Sequence, residues 1–281
     1  MLKRIITSLV AICVLVPVLI FSDTIVLPIA VAIFTFIGLY EIFKCIEKSQ
    51  FVYLVFPAYF CSMLSPFVLR YYTHKFAPIA FIFCIVYLTY LFALSVLCKG
   101  KFKFGEISEV YLLTVYIITA FNAIIYIRDI ENGNYIYLLI FIGAWMTDIF
   151  AYFTGMLFGK HKLIPEVSPK KTIEGSIGGI LFCTVSFVVY GIIINSINPN
   201  VDVNYVFLAV GGVIVSIVSQ VGDLVMSVIK RQFGVKDYGK LFPGHGGVLD
   251  RFDSILAVSL IICALCIFSR TMGVAFIGGG I

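Results

Sequence analysis

Charge is scarce in this chain: Asp, Glu, Lys and Arg make up 12% of 281 residues, while 61% are hydrophobic. A soluble domain carries roughly 45–50% apolar residues. No loop is long enough to fold as a soluble domain, no repeat of useful length is visible, and there is no low-complexity tail. Any chemistry is therefore built from helices and loops at a membrane. Cysteine is present but not organised. Cys13, Cys61, Cys84, Cys183, Cys263 and Cys266 lie in apolar runs, and the one C-x-x-C, Cys263 to Cys266, has no second pair or neighbouring His. These residues read as small hydrophobes, which excludes a zinc or redox site of the usual spacing. No Gly-Lys pair is followed by Ser or Thr, so a nucleotide site, if present, is not a P-loop.

What the chain does have is long apolar runs. Taking stretches of roughly 17–25 apolar residues as spans predicts about nine transmembrane helices, near 5–21, 24–43, 51–72, 77–97, 108–127, 135–158, 174–196, 202–229 and 252–269. The fold class expected is an all-α polytopic integral membrane protein. The first run follows Lys3 and Arg4 but is longer than a signal-peptide core of about 7–15 residues. No small-x-small cleavage site precedes Asp23, so this run is expected to remain as a span. With the N-terminus cytoplasmic, sixteen of the twenty Lys and Arg residues fall on the cytoplasmic side, leaving Arg70, Lys75, Arg128 and Arg270 outside. That bias matches the positive-inside rule. The net charge of +5 arises from those loops and gives no support to nucleic-acid binding. Without a transit peptide or long hydrophilic extension, a bacterial cytoplasmic membrane is the favoured location, with organellar membranes as the alternative.

The two halves differ in polarity. Residues 1–140 read as a scaffold of apolar spans and leave a homodimer through them open. Residues 141–281 hold the intramembrane charge and the cytoplasmic loops 159–174 and 230–251, so catalysis is expected there. Gly155 with Gly159 and Gly175 with Gly179 form two G-x-x-x-G spacings, better explained by close helix packing than by a ligand.

Three acids stand out in the second half: Asp148, Asp223 and Asp250. A lone charge in a span costs a few kcal/mol or more, so such groups face a polar interior and a partner. At i, i+4 and i+7, Asp223, Ser227 and Lys230 share one helix face. Asp148, Tyr152 and Gly155 repeat that spacing and are expected to form a second stripe facing the first. Asp250 and Asp253 are three apart at the start of the last span. Carboxylates converging beside lysines suit a hard divalent cation that also takes substrate phosphate oxygens. Phosphoryl or nucleotidyl transfer follows. The plainer alternative has Asp250 capping a helix and Asp223 pairing with Lys230.

The segment "KRQFGVKDYGKLFPGHGGVLDRFD", residues 230–253, concentrates the charge. Its Gly244, Gly246 and Gly247 allow backbone amides to approach an anion, at the N-terminus of a helix whose dipole favours phosphate. His245 reads as a phosphate contact or loop-fixing residue ahead of a general base, because a phosphate nucleophile is already ionised at neutral pH. In "GKHKLIPEVSPKKTIEG", residues 159–175, a turn over "SPKKT" is expected to set Lys170 and Lys171 beside the Ser168 and Thr172 hydroxyls, a set suited to a polyphosphate.

Residues 227–253 resemble the signature of the phosphatidate cytidylyltransferases. Its fixed positions are met by Ser227, Lys230, Arg231, Lys236, Asp237, Gly239, Pro243, His245, Gly246, Gly247, Asp250, Arg251 and Asp253. "SPKKTIEG" and "DIFAYFTG" also look like that family, extending the resemblance over about residues 144–253. The resemblance implies attack by the phosphate of phosphatidic acid on the α-phosphorus of CTP, giving CDP-diacylglycerol and pyrophosphate. It further implies Mg²⁺ held by Asp223 and Asp250, with a second cation left open. Lys230, Arg231 and His245 would join these two aspartates in catalysis. Substrate contacts would come from Ser168, Lys170, Lys171, Thr172, Glu174, Ser227, Lys236, Asp237, Gly246, Gly247 and Arg251, with Asp148 and Asp253 in positioning roles. The partners expected are CTP, phosphatidic acid and membrane lipids. Two rivals are a membrane lipid kinase, which would transfer the γ-phosphate, and an ion transporter, whose inverted repeats are not visible here.

Overall fold

The computed structural model of the chain describes residues 13–49, 51–244, 246–273 and 276–278. Within them the long helices are α1 (Val26–Cys45), α2 (Val52–Tyr71), α3 (Thr73–Leu97), α4 (Phe104–Asp129), α6 (Leu138–Phe158), α7 (Ile173–Ile197), α8 (Tyr205–Gln232) and α9 (Leu249–Met272), with a single turn, α5 (Gly133–Ile136), ahead of α6. Eight helices among the described residues are long and apolar enough to cross a membrane. Each of the eight later runs predicted from hydropathy holds one of them. Residues 13–20 are also helical, while residues 5–12 of the first predicted run lie outside the described residues. Helices satisfy every backbone polar group within the segment, as a hydrocarbon environment demands. Accordingly α3 presents Phe81, Ile82, Val86, Val96 and Leu97 outward, a surface that water would penalise and lipid would not. The chain is a polytopic, all-α integral membrane protein.

Two compact units divide the chain. The first comprises residues 1–125 and 235–251. Its core is built from Leu39, Ile42, Phe43, Leu54, Val55, Tyr87, Leu91, Ile117 and Phe121, all essentially sealed from solvent. The buried Tyr87 hydroxyl donates to the Leu54 carbonyl at 3.2 Å, so a polar group deep in this core is satisfied. Lys48 pairs with Glu106 at 2.5 Å and fastens the α1–α2 turn to α4.

The second unit comprises residues 126–234 and 252–281. Here α6, α7 and α8 pack on one another. The glycine spacing explains how α6 meets α7. A Cβ on Gly175 would meet the Ala151 carbonyl and come within 3.2 Å of Gly155 Cα, and one on Gly155 would press on Thr172 Oγ1. Close packing is therefore what these glycines do. Between α6 and α7 the chain forms an antiparallel hairpin of β1 (Lys162–Ile164) and β2 (Ser168–Thr172), with Lys162 opposite Thr172 and Ile164 opposite Ser168. The turn expected over "SPKKT" is thus an extended strand. Pro169 favours extended backbone before it, and Lys162–Ile164 supplies the pairing edge. Thr172 ends the strand and starts the helix, its hydroxyl accepting from Gly175 N at 3.1 Å. Asn204 caps α8 in the same way through Phe207 N at 2.9 Å. A second short pair, β3 (Asp202–Val203) with β4 (Ile277–Gly278), closes the far end of this unit.

Candidate active site

Helix α8 runs unbroken from Tyr205 to Gln232, so Asp223, Ser227 and Lys230 lie on one face as the spacing predicts. The same face continues inward through Gln220, Ser219 and Ser216, all buried. Thr147 of α6 donates to Ser216 Oγ at 2.9 Å, and Gln220 reaches the Ser176 carbonyl of α7 at 3.3 Å. Ser219 Oγ is sealed without a hydrogen-bond partner among the described residues. A polar seam thus descends from the loop end of α8 into its apolar interior.

At the head of that seam stands an ion pair. Lys171 Nζ lies 2.5 Å from Asp223 Oδ2. The pairing follows from strand geometry: alternate residues of β2 point to opposite sides, so Lys171 turns inward while Lys170 is exposed. The two lysines expected to act together are therefore separated. Thr172, expected to offer its hydroxyl to substrate, uses that oxygen to cap α7. Asp253, on α9 and in the same unit, lies close to Asp223 and within electrostatic reach of Lys230. Ser254 N donates to Asp253 Oδ1 at 2.9 Å.

The expected second stripe divides. Asp148 Oδ2 accepts from Ser254 Oγ of α9 at 3.4 Å, Tyr152 is 65% exposed, and Gly155 packs on α7. The α6 side chain seen to hydrogen-bond α8 is Thr147, one position earlier. Glu174, expected among substrate contacts, accepts from Lys160 N at 3.1 Å and His161 N at 3.2 Å, and lies 2.6 Å from His161 Nδ1. It ties the loop leaving α6 to the first turn of α7.

In the first unit the loop before α9 folds around two carboxylates. Asp250 Oδ2 accepts from Tyr238 N at 2.8 Å and from Gly247 N at 2.9 Å. Glu41 of α1 accepts from Val248 N through Oε1 and from Leu249 N through Oε2, both at 2.9 Å. A short antiparallel bridge joins Phe242 to Gly246, and Gly244 and Gly246 take φ of +83° and +86°, values that favour glycine. Of the glycine-rich turn expected to approach an anion, the Gly247 amide donates to Asp250, and the next two amides, Val248 and Leu249, donate to Glu41. Buried N–H groups need partners, and Glu41 and Asp250 supply them. Lys236, Asp237 and Arg251 are exposed, as is Arg231 of the second unit, while Ser168, Ser227 and Lys230 are half-buried. His245 lies outside the described residues. Sequence reasoning passed over Glu41, whose only signal is an acid in the apolar run "GLYEIFKC".

Among the described residues no three His, Cys, Asp or Glu side chains converge into a cage. The donor set fits a different kind of site. Mg²⁺ commonly takes one or two carboxylates and completes its shell with water and substrate phosphates. Asp223, paired with Lys171, and Asp253 close to it are of that type.

A cytidylyltransferase family model matches residues 2–269. The phosphatidate cytidylyltransferase of Bacillus subtilis (strain 168) is 39% identical over 169 residues, covering 60% of this chain and 61% of that protein. The protein of the same name from Staphylococcus haemolyticus (strain JCSC1435) is 40% identical over 168 residues, 60% of this chain and 62% of the relative. That of Staphylococcus aureus (strain COL) is 42% identical over 175 residues, 62% and 65% respectively. The matched part of the chain spans about three fifths of the length of these relatives. With the family match running through nearly every helix described above, the chain belongs to the cytidylyltransferase family.

Proposed function

We propose that the chain transfers the cytidylyl group of CTP to phosphatidate. A phosphate oxygen of phosphatidate forms a bond to the α-phosphorus of CTP, the bond from that phosphorus to the bridging oxygen of the β-phosphate breaks, and pyrophosphate leaves with the electron pair. CDP-diacylglycerol remains in the membrane. The observation that carries this reading is the meeting of Lys171, Asp223 and Asp253 at the head of a polar seam. In this reading a lysine suited to phosphate and carboxylates suited to a cation come together there. The similarity to phosphatidate cytidylyltransferases supports the choice of substrates, and the bacterial sources of those relatives support a bacterial membrane.

In this reading Lys171 exchanges Asp223 for a phosphate oxygen when nucleotide binds. Lys170, Lys230 and Arg231 add positive charge where the leaving pyrophosphate gathers negative charge. Asp223, with Asp253 beside it, holds Mg²⁺. Asp250 joins as a ligand on the strength of the resemblance. When bound, the cation supplies charge neutralisation at the phosphates, as in other phosphoryl and nucleotidyl transfers. The loops 159–174 and 230–251 face the cytoplasm, where CTP is found, and phosphatidate arrives from the bilayer.

Labelled CTP tests the reaction class. Purified protein in mixed micelles with phosphatidic acid should move α-label into the lipid phase and leave γ-label in water. Transfer of γ-label to lipid would mean a kinase instead.

A further inference from the structure

Glu41 is 4% exposed and lies in a membrane-spanning helix, yet no lysine or arginine among the described residues pairs with it. Its stabilisation comes from backbone. Both carboxylate oxygens accept from successive amides, Val248 N and Leu249 N, at the start of α9. That end of a helix carries unsatisfied N–H groups and partial positive charge. A side chain more than two hundred residues away thus performs the work of an N-cap. The loop has been shaped to admit it. A Cβ added at Gly239 or at Gly247 would run into the Glu41 carboxylate, so both positions must stay bare for the acid to reach the amides.

Asp250 holds the same loop from the other side, through Tyr238 N and Gly247 N. Residues 247 to 249 therefore donate three consecutive amides to two carboxylates, one local and one from α1. The direction of the Asp250 side chain depends on the first turn of α9. Glu41 fixes that turn.

We propose that Glu41 is a positioning residue for the transfer reaction: by holding the amides of Val248 and Leu249 it sets the first turn of α9 and with it the Asp250 carboxylate. This rests on the function proposed above.

The test uses the full chain in detergent micelles, comparing wild type with Glu41→Gln and Glu41→Asp, and with Glu106→Gln as a control that breaks the Lys48 pair in the same unit. The Gln amide keeps one acceptor oxygen but turns an NH₂ toward the second N–H. Two readings are made together: amide hydrogen exchange of residues 238–249, and the Mg²⁺ concentration giving half-maximal rate alongside KM for phosphatidate. The expected result for Glu41→Gln is at least tenfold faster exchange at 247–249 with exchange in α6 to α8 unchanged. Its kcat should fall at least tenfold and its Mg²⁺ requirement rise at least threefold, with KM for phosphatidate within twofold. The control should match wild type in every respect. Unchanged exchange at 247–249, or a wild-type rate and Mg²⁺ requirement despite faster exchange, would overturn the proposal. If Glu41→Gln has no melting transition, Glu41→Asp is judged by the same criteria, and failure of both to fold makes the residue merely structural and overturns it too. A wild-type protein without cytidylyl transfer would sink the reaction, and the exchange data would then decide separately whether Glu41 holds the loop.

Discussion

Lys171 Nζ and Asp223 Oδ2 stand 2.5 Å apart, one on a strand that enters α7 and the other on the polar face of α8. The pair keeps a lysine and a carboxylate stable in an otherwise apolar unit. In the proposed reaction it would bring together a ligand for a cation and a ligand for phosphate. Groups that act as a unit lose function non-additively. Asp223→Asn and Lys171→Gln should each lower kcat by roughly 100-fold or more, on the scale of a lost charge-stabilising contact, and the double variant should be little worse than the worse single one. Steady-state kinetics on the three proteins checks this. Fully multiplicative losses would mean that the two residues work independently.

Chelation addresses the cation. Removing divalent ions with EDTA should stop transfer, and Mg²⁺ should restore it. Asp223→Asn should need more Mg²⁺ than wild type for whatever rate remains. A rate indifferent to chelator would take the metal out of the account and leave the lysines as the source of charge neutralisation.

Helix packing gives a prediction independent of chemistry. Gly175→Val places a branched side chain against the Ala151 carbonyl and Gly155, and overpacking of this kind typically costs about 1–3 kcal/mol. The midpoint of thermal unfolding in detergent should fall by several degrees. Gly234→Ala, where a Cβ would meet open space, should be milder even though its φ of +66° carries some strain.

Thr172 joins β2 to α7. Thr172→Ala removes the cap to Gly175 N and should cost about 1 kcal/mol, while Thr172→Ser should keep most of it. Because Lys171 is the preceding residue, kcat should drop in the Ala variant and recover in the Ser variant. Equal activity in both would separate the cap from the position of Lys171.

The helices were legible in the sequence because hydropathy over some twenty residues is a local property, and lipid leaves the backbone little choice but to form helices. Asp223, Ser227 and Lys230 kept their predicted face for the same reason. The Lys171 pairing was not legible. It required recognising "SPKKT" as a strand, whose two-residue period separates Lys170 from Lys171, where a turn would have kept them together. Nor was the loop around Asp250. Its glycines suggested amides open to an anion, but buried amides must find acceptors, and one acceptor is Glu41, which lies 207 residues before Val248. A lone acid in an apolar run announces that it has a partner; it does not say where. The small approach surfaces of Gly155 and Gly175, by contrast, were visible as spacing alone.

The most direct measurement is the identity and stoichiometry of the products. Purified protein incubated with phosphatidic acid, CTP and Mg²⁺ should yield CDP-diacylglycerol by mass spectrometry, with one pyrophosphate released for each lipid formed and both products formed at least roughly 100-fold more slowly by the Asp223→Asn variant. Pyrophosphate without the liponucleotide, or a phosphorylated lipid with CDP in its place, would contradict the assignment of cytidylyl transfer to this site.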